Sequence, residues 1–291
     1  MVKVYVTKSN DAYTGTKEAL DALNFEVSGK KRVYIKPNLT GGMSSRKGMT
    51  VDIGSVIAVL EKINYCEEII IGESCSGTQK AFDELGYREL YKEFPNLRLE
   101  DIRSANQVWK KIPRPNHTNE MPFNASVLNS DCVINIAKMK THSLAGVSLS
   151  LKNTFGFVPT RKQKLMYHPF IRKAVLDMNQ LVNYNLCIVE GIWGNEFDEV
   201  QSTPKYTGAI IAGKNMLAVD LVAAKIMGID LNRDSTYKDA FELWGKPTIE
   251  LKGAKLEELV KQYRQGALPS TQVRYVKEYL QSRFHRFFNR H

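Results

Sequence analysis

Lys138, Lys140 and His142 stand at alternate positions in the segment DCVINIAKMKTH, directly after a short apolar run at 133–136. Alternate residues of an extended chain share one side, so these cationic or titratable groups would repel one another unless an anion lay among them. Lys152 and Asn153 follow after a small-residue segment, and a second histidine, His168, ends the sequence KLMYH. An apolar run of this kind reads as a strand covered on both faces, and the crevice beyond the carboxyl ends of such strands is where α/β proteins bind ligands. Lys138, Lys140, Lys152 and Asn153 are therefore candidate substrate-binding residues, and His142 and His168 candidate acid and base. Two histidines can equally be metal ligands, and their spacing does not choose.

Other strand-end residues fit the same crevice. Lys36-Pro37-Asn38 follows the apolar run VYI, and Gly41-Gly42 behind it lets the backbone approach a ligand. Lys36 and Asn38 are thus candidate substrate-binding residues, the lysine to clamp a phosphate or carboxylate. Glu73 ends the run EEIIIG and is a candidate base, metal ligand or partner for a lysine across the cleft. Glu190, after LCIV, and Asp220, within MLAVDLVAAKIMG, complete the carboxylates that a divalent metal would need. Asp220 in a first helical turn also has a purely structural explanation in the macrodipole, and either Thr50 or Asp52 can cap the helix that begins near Ile53.

The elements that must position these groups alternate. Strand patterns at 2–6, 32–35 and 68–71 enclose helical patterns at 16–23 and 53–63. This βαβ rhythm predicts a parallel sheet with right-handed crossovers, with the loops after Ile35 and Ile71 on one edge. Strands at 97–102 and 107–112 fall in a proline-punctuated stretch, and the expectation is an irregular insertion near 87–122. The rhythm resumes with strands at 132–136, 186–189 and 209–211 and helices at 169–182 and 217–227. The fold class expected is α/β, a largely parallel sheet with flanking helices and a smaller inserted or appended region, as one domain over 1–271. The stretch 272–291 pairs an apolar stripe of Val273, Val276, Leu280, Phe284 and Phe287 with a basic face, and is expected to be an amphipathic helix. Such a helix packs on its own core or makes peripheral contact with an anionic membrane.

The chain of 291 residues carries a formal charge of +10, which favours anionic partners through long-range attraction. Dedicated nucleic-acid binding is not expected, since zinc-finger, RNP and helix-turn-helix patterns are all missing. No apolar run approaches the roughly 20 residues of a membrane-spanning helix, and a cytoplasmic location is expected. Cys66, Cys75, Cys132 and Cys187 are scattered without a C-x-x-C pair, so the sequence has no local iron–sulfur or zinc framework.

Taken in order, KPN, an acidic strand end, DCVINIAKMKTH, SLKNTFGFVP, K-x-x-x-H, a strand-end acid-glycine and AVDLVAAKIMG resemble the domain of unknown function 362 family, from about Arg32 to Ile229. The resemblance implies that Lys36, Pro37 and Asn38 form the family's KPN element, that Lys138, Lys140, Thr141 and His142 form its K-x-K-T-H element, and that Lys152, Asn153 and Gly156 form its KN-x-x-G element. His168, Glu190 and Asp220 fall at later motif positions. Ala137 stands where the family commonly has proline and Glu190 where aspartate is common, and the ferredoxin-like cysteine cluster of some members is missing. The function expected is an enzyme acting on an anionic small molecule, phosphorylated or nucleotide-linked among the options, through lysine, histidine and acid chemistry. A metal- or cofactor-linked redox protein and a non-enzymatic anion- or membrane-surface-binding protein stand as alternatives.

Overall fold

The computed structural model describes residues 1–199 and 201–266. Its strands are β1 (Val2–Lys8), β2 (Arg32–Pro37), β3 (Glu68–Glu73), β4 (Leu97–Asp101), β5 (Gln107–Lys111), β6 (Glu120–Asn124), β7 (Cys132–His142), β8 (Gly146–Ser148), β9 (Leu186–Asn195), β10 (Pro204–Gly213) and β11 (Ile249–Gly253). Its helices are α1 (Ala12–Ala22), α2 (Ile53–Ile63), α3 (Thr78–Glu84), α4 (Ala125–Leu128), α5 (Ser150–Asn153), α6 (Arg161–Tyr167), α7 (Ile171–Asn179), α8 (Met216–Ile226) and α9 (Ser235–Trp244).

One mixed sheet has the order β11-β1-β10-β9-β7-β2-β3-β4, with β8 folded onto the end of β7. Its neighbours are parallel except where β10 meets β1 and β9 and where β8 meets β7. This is the expected α/β class, with a largely parallel sheet flanked by helices. The apolar runs that predicted strands are buried on both faces because successive residues serve two cores. Val33, Ile35, Ile69, Ile71, Ile134 and Ile136 pack with α1 and α2, whereas Tyr34, Ile70, Val133 and Ala137 pack with α7 and α8.

Several features differ from the expected organisation. β10 runs against its neighbours, and β11 adds a parallel edge strand to β1 that the sequence reading did not contain. β4, placed by the sequence in the irregular stretch, is the opposite edge of the main sheet, while β5 and β6 form a separate antiparallel ribbon. The helix expected at 169–182 is shorter, with α7 beginning only after a 3-10 turn at His168–Phe170. β7 runs on past Ile136 to His142, so the Lys138, Lys140 and His142 stretch is itself strand. The helix expected at 272–291 lies outside the described residues.

Glu190, a candidate metal carboxylate from its place at a strand end, is not open to the crevice. It is wholly buried, paired in register with Lys138 on β7 and bonded to the Lys138 ammonium, which is equally buried. Glu190 also accepts the backbone N–H of Ile192 at 2.8 Å and of Asp52 at 3.1 Å. Asp52 is the cap of α2, accepting the Gly54 N–H at 2.9 Å, so Asp52 rather than Thr50 starts that helix. Removing one partner of a buried pair leaves an uncompensated charge, which costs ~3–5 kcal/mol, whereas replacing both with apolar groups is often neutral. Lys138→Met is therefore expected to destabilise the fold by about that amount in denaturant unfolding, and Lys138→Met with Glu190→Leu to recover most of it. Equal loss in the single and double variants would contradict the pairing.

Candidate functional site

The site begins where β2 and β3 end side by side. The Lys36 ammonium donates to Glu73 Oε2 at 2.8 Å and to the Pro37 carbonyl at 2.7 Å, with both side chains almost wholly buried. Glu73 also accepts the N–H of Leu39 at 2.9 Å and of Ser74 at 2.6 Å. The Asn38 N–H donates to the Ile136 carbonyl at 2.9 Å, which pins the KPN turn onto β7. Gly156 closes over the pair from the 3-10 turn Thr154–Phe157. A Cβ there would lie 2.4 Å from Lys36 Cε and 2.7 Å from its Nζ, so the glycine is required by close approach.

The end of β7 is held by the β8 hairpin, in which Lys140 faces Ser148 and His142 faces Gly146. Gly146 has φ +79°, a left-handed conformation that glycine adopts without strain. The hairpin turn fixes the chemistry of His142. Its Nδ1 accepts the N–H groups of Leu144 at 3.1 Å and Ala145 at 3.3 Å, so the ring proton resides on Nε2. Burial first, then Lys152, His168 and Lys140, hold its pKa well below the ordinary histidine value, and the ring is neutral. The 3.4 Å approach of Glu199 Oε2 to Nδ1 is consequently not an ion pair, since Nδ1 bears no proton; Glu199 instead accepts from the Ser143 N–H at 2.9 Å. Glu199 arrives on the loop after β9. Phe197 in that loop holds φ +75°, unusual for a bulky residue, with the Arg264 guanidinium 4.2 Å from its ring centroid.

The short α5 carries Lys152 and Asn153. Its first N–H groups, those of Ser150 and Leu151, both donate to the Asp220 carboxylate at 2.8 Å, and the Tyr237 hydroxyl donates to the same carboxylate. Asp220 lies inside α8 behind its Asn215 cap, and burial pushes its pKa up to about 6. Asn153 Nδ2 donates to Asn135 Oδ1 at 2.8 Å and to the Lys36 carbonyl at 3.2 Å, tying α5 to β7 and β2.

These elements enclose a cavity of about 170 Å³. It is lined by Lys36, Asn38, Glu73, Lys140, His142, Lys152, Asn153 and His168 from the sequence-derived set, and by Thr40, Cys75, Lys164 and Glu199 besides. Burial lowers the Lys140 ammonium to about 7, helped by Lys152. Burial likewise lowers Lys152 to about 8 and Lys164 to about 8. Lys140 Nζ donates to the Met49 carbonyl at 3.1 Å, and Lys164 Nζ to the carbonyl and hydroxyl of Ser74, each at 2.6 Å. Lys152 Nζ lies 5.6 Å from the Phe155 ring centroid. None of these three forms an ion pair among the described residues, which leaves their charge unneutralised by direct contact.

Lys138, Glu190 and Asp220 are not in this cavity, and their candidate roles are corrected. Lys138 parts from Lys140 where the register of β7 against β9 shifts, and it is spent on Glu190. Glu73, Glu190 and Asp220 do not form one ligand set, because each carboxylate is committed to its own amides and partner. Among the described residues no group of three or more His, Cys, Asp or Glu side chains is arranged to hold a metal ion. Lys164 is the lysine of K-x-x-x-H, a pattern whose spacing alone carries no role for it. Glu199 carried no sequence signal, since its place depends on the loop after β9. Cys75 is part-buried on the cavity wall, and burial raises its thiol pKa.

The fold and the cavity define a mixed-sheet α/β protein with a lysine-rich site at the carboxyl ends of its parallel strands. The chain belongs to the family described as domain of unknown function (DUF362), whose model matches residues 33–225. It is 25% identical over 224 residues to a thylakoid-associated protein of Synechocystis sp., covering 73% of this chain and 68% of that protein. The lactate racemase apoprotein of Thermoanaerobacterium thermosaccharolyticum has a similar fold, with a TM-score of 0.52 at 14% identity over 79% of this chain. This chain spans 58% of that protein's length, and the likeness is one of fold. No helix among the described residues is long and apolar enough to cross a membrane.

Gly156→Ala is expected to displace the Lys36 ammonium rather than unfold the chain, because the clash falls on the far end of a side chain. Because that shift loosens the buried Lys36–Glu73 pair, the thermal midpoint should fall with a loss of up to ~3–5 kcal/mol, and sulfate affinity, measured calorimetrically on the folded protein, should fall by about 10-fold or more. Unchanged sulfate binding would remove Lys36 from the site.

Proposed function

We propose that this protein is an enzyme that acts on a small anion. The carrying observation is the convergence of Lys140, Lys152 and Lys164 with His142 on one cavity, without a carboxylate paired to any of the three ammonium groups among the described residues. Like charges held together out of water are costly, and the gain that offsets this cost is attraction to a bound anion. In this reading Lys152 and Lys164 hold the anionic oxygens, with Lys36 kept in place beside them by Glu73. Lys140, lowered to about 7, is suited to accept and return a proton near neutral pH. Neutral His142 presents its Nε2–H to negative charge that develops on the substrate. Glu73, with hydrogen bonds on both oxygens, positions Lys36 and is not the proton acceptor.

The sign of the pH dependence follows. An anion favours the ammonium forms, so binding takes up protons, and affinity falls as pH rises through the values of about 7 and about 8. Sulfate keeps one charge state across this range and is the appropriate probe. Its affinity is expected to drop by ~10-fold or more between pH 6.5 and 9, with net proton uptake on binding seen by calorimetry in buffers of different ionisation enthalpy. Lys140→Met should weaken sulfate binding and yet stabilise the free protein at pH 6. The lysine's lowered pKa means that its burial penalty is full below about 7 and fades as pH climbs towards the ordinary value of 10.5. Binding that ignores pH, or a Lys140→Met protein that binds sulfate normally, would sink the reading.

A further inference from the structure

His142 and Asn153 are both buried to more than nine-tenths, both line the cavity, and each keeps one side-chain atom without a protein partner among the described residues: His142 Nε2 and Asn153 Oδ1. The polarity of each atom is fixed by what the rest of its side chain does. His142 Nδ1 is an acceptor for two amides, which makes Nε2 a donor. Asn135 donates to the Ser150 carbonyl at 2.9 Å and so turns its own Oδ1 towards Asn153 Nδ2, at 2.8 Å. Reversing the Asn153 amide would set oxygen against Asn135 Oδ1 and the Lys36 carbonyl, so its free atom is an acceptor.

We infer that the substrate is a compact anion that also carries a hydroxyl close to its charged oxygens, the oxygens meeting the lysines and His142, and the hydroxyl donating to Asn153. This rests on the anion reading above and narrows it. The cavity of about 170 Å³ is well below the roughly 300–1,000 Å³ of sites for larger ligands, so it does not enclose a whole nucleotide. An anion without the donor leaves Asn153 Oδ1 buried and unmatched, which is how a polar site rejects an analogue.

The test uses the full chain and matched ligands that differ by one hydroxyl: acetate against glycolate, and ethyl phosphate against 2-hydroxyethyl phosphate, titrated calorimetrically at pH 6.5. The hydroxylated member of one pair is expected to bind about 10-fold tighter or more, and that pair identifies the anionic group as carboxylate or phosphate. In Asn153→Ala the ratio within the pair should fall towards one, whatever happens to absolute affinity; the wild-type comparison decides the matter if this variant does not fold. Equal affinities within both pairs, with sulfate still bound, would overturn the inference and leave the anion site standing. No binding by any of the anions, sulfate included, would overturn the anion reading itself.

Discussion

Two buried lysine–glutamate pairs, Lys36 with Glu73 and Lys138 with Glu190, set the terms for the rest of the molecule. A charge taken out of water is tolerated only with a well-placed partner and further hydrogen bonds, and both glutamates meet that condition with backbone amides of one loop. Glu73 takes the amide of Leu39 and Glu190 that of Asp52, so the loop from β2 to α2 is tied at both ends. That loop supplies Asn38 and Thr40 to the cavity and the Met49 carbonyl to the Lys140 ammonium. The pairs therefore act less as stabilisers than as pegs that decide where irregular backbone lies.

Against this neutralised frame the remaining lysines stand out. Lys140, Lys152 and Lys164 are lowered mainly by burial, and the acids that face them, Glu73 and Glu199, are committed elsewhere. Asp220 belongs to the same logic at one remove. It holds the two leading amides of the short α5, and α5 in turn presents Lys152 and Asn153. An acid that the sequence offered as a metal ligand thus serves the cavity by fixing the backbone behind it.

Much of this was legible in the sequence because the relevant signals are local. Strands buried on two faces read as unbroken apolar runs, and charge at their ends marks the crevice. Lys140 and His142 were found through alternation, and Lys36 and Asn38 through the proline that ends β2. What was not legible depends on pairing across the sheet. Lys138 and Lys140 have the same type and the same alternating register, and only the irregularity of β7 against β9 sends one to Glu190 and the other to the cavity. The edge strand β11 has too little apolar character to announce itself, with Leu251, Lys252 and Gly253 all exposed. Glu199 depends on a loop whose path is set by Arg264, far away along the chain.

The position of β7 has a consequence for how the cavity comes into being. This strand lies between β9 and β2, so its lysines and histidine reach their places only when pairings distant in sequence have closed on both sides. Contacts of such long separation are slow to form, and gathering unneutralised cations gives no early reward. The cavity accordingly exists only where both of those long-range pairings are in place, so its geometry is tied to the integrity of the whole central sheet.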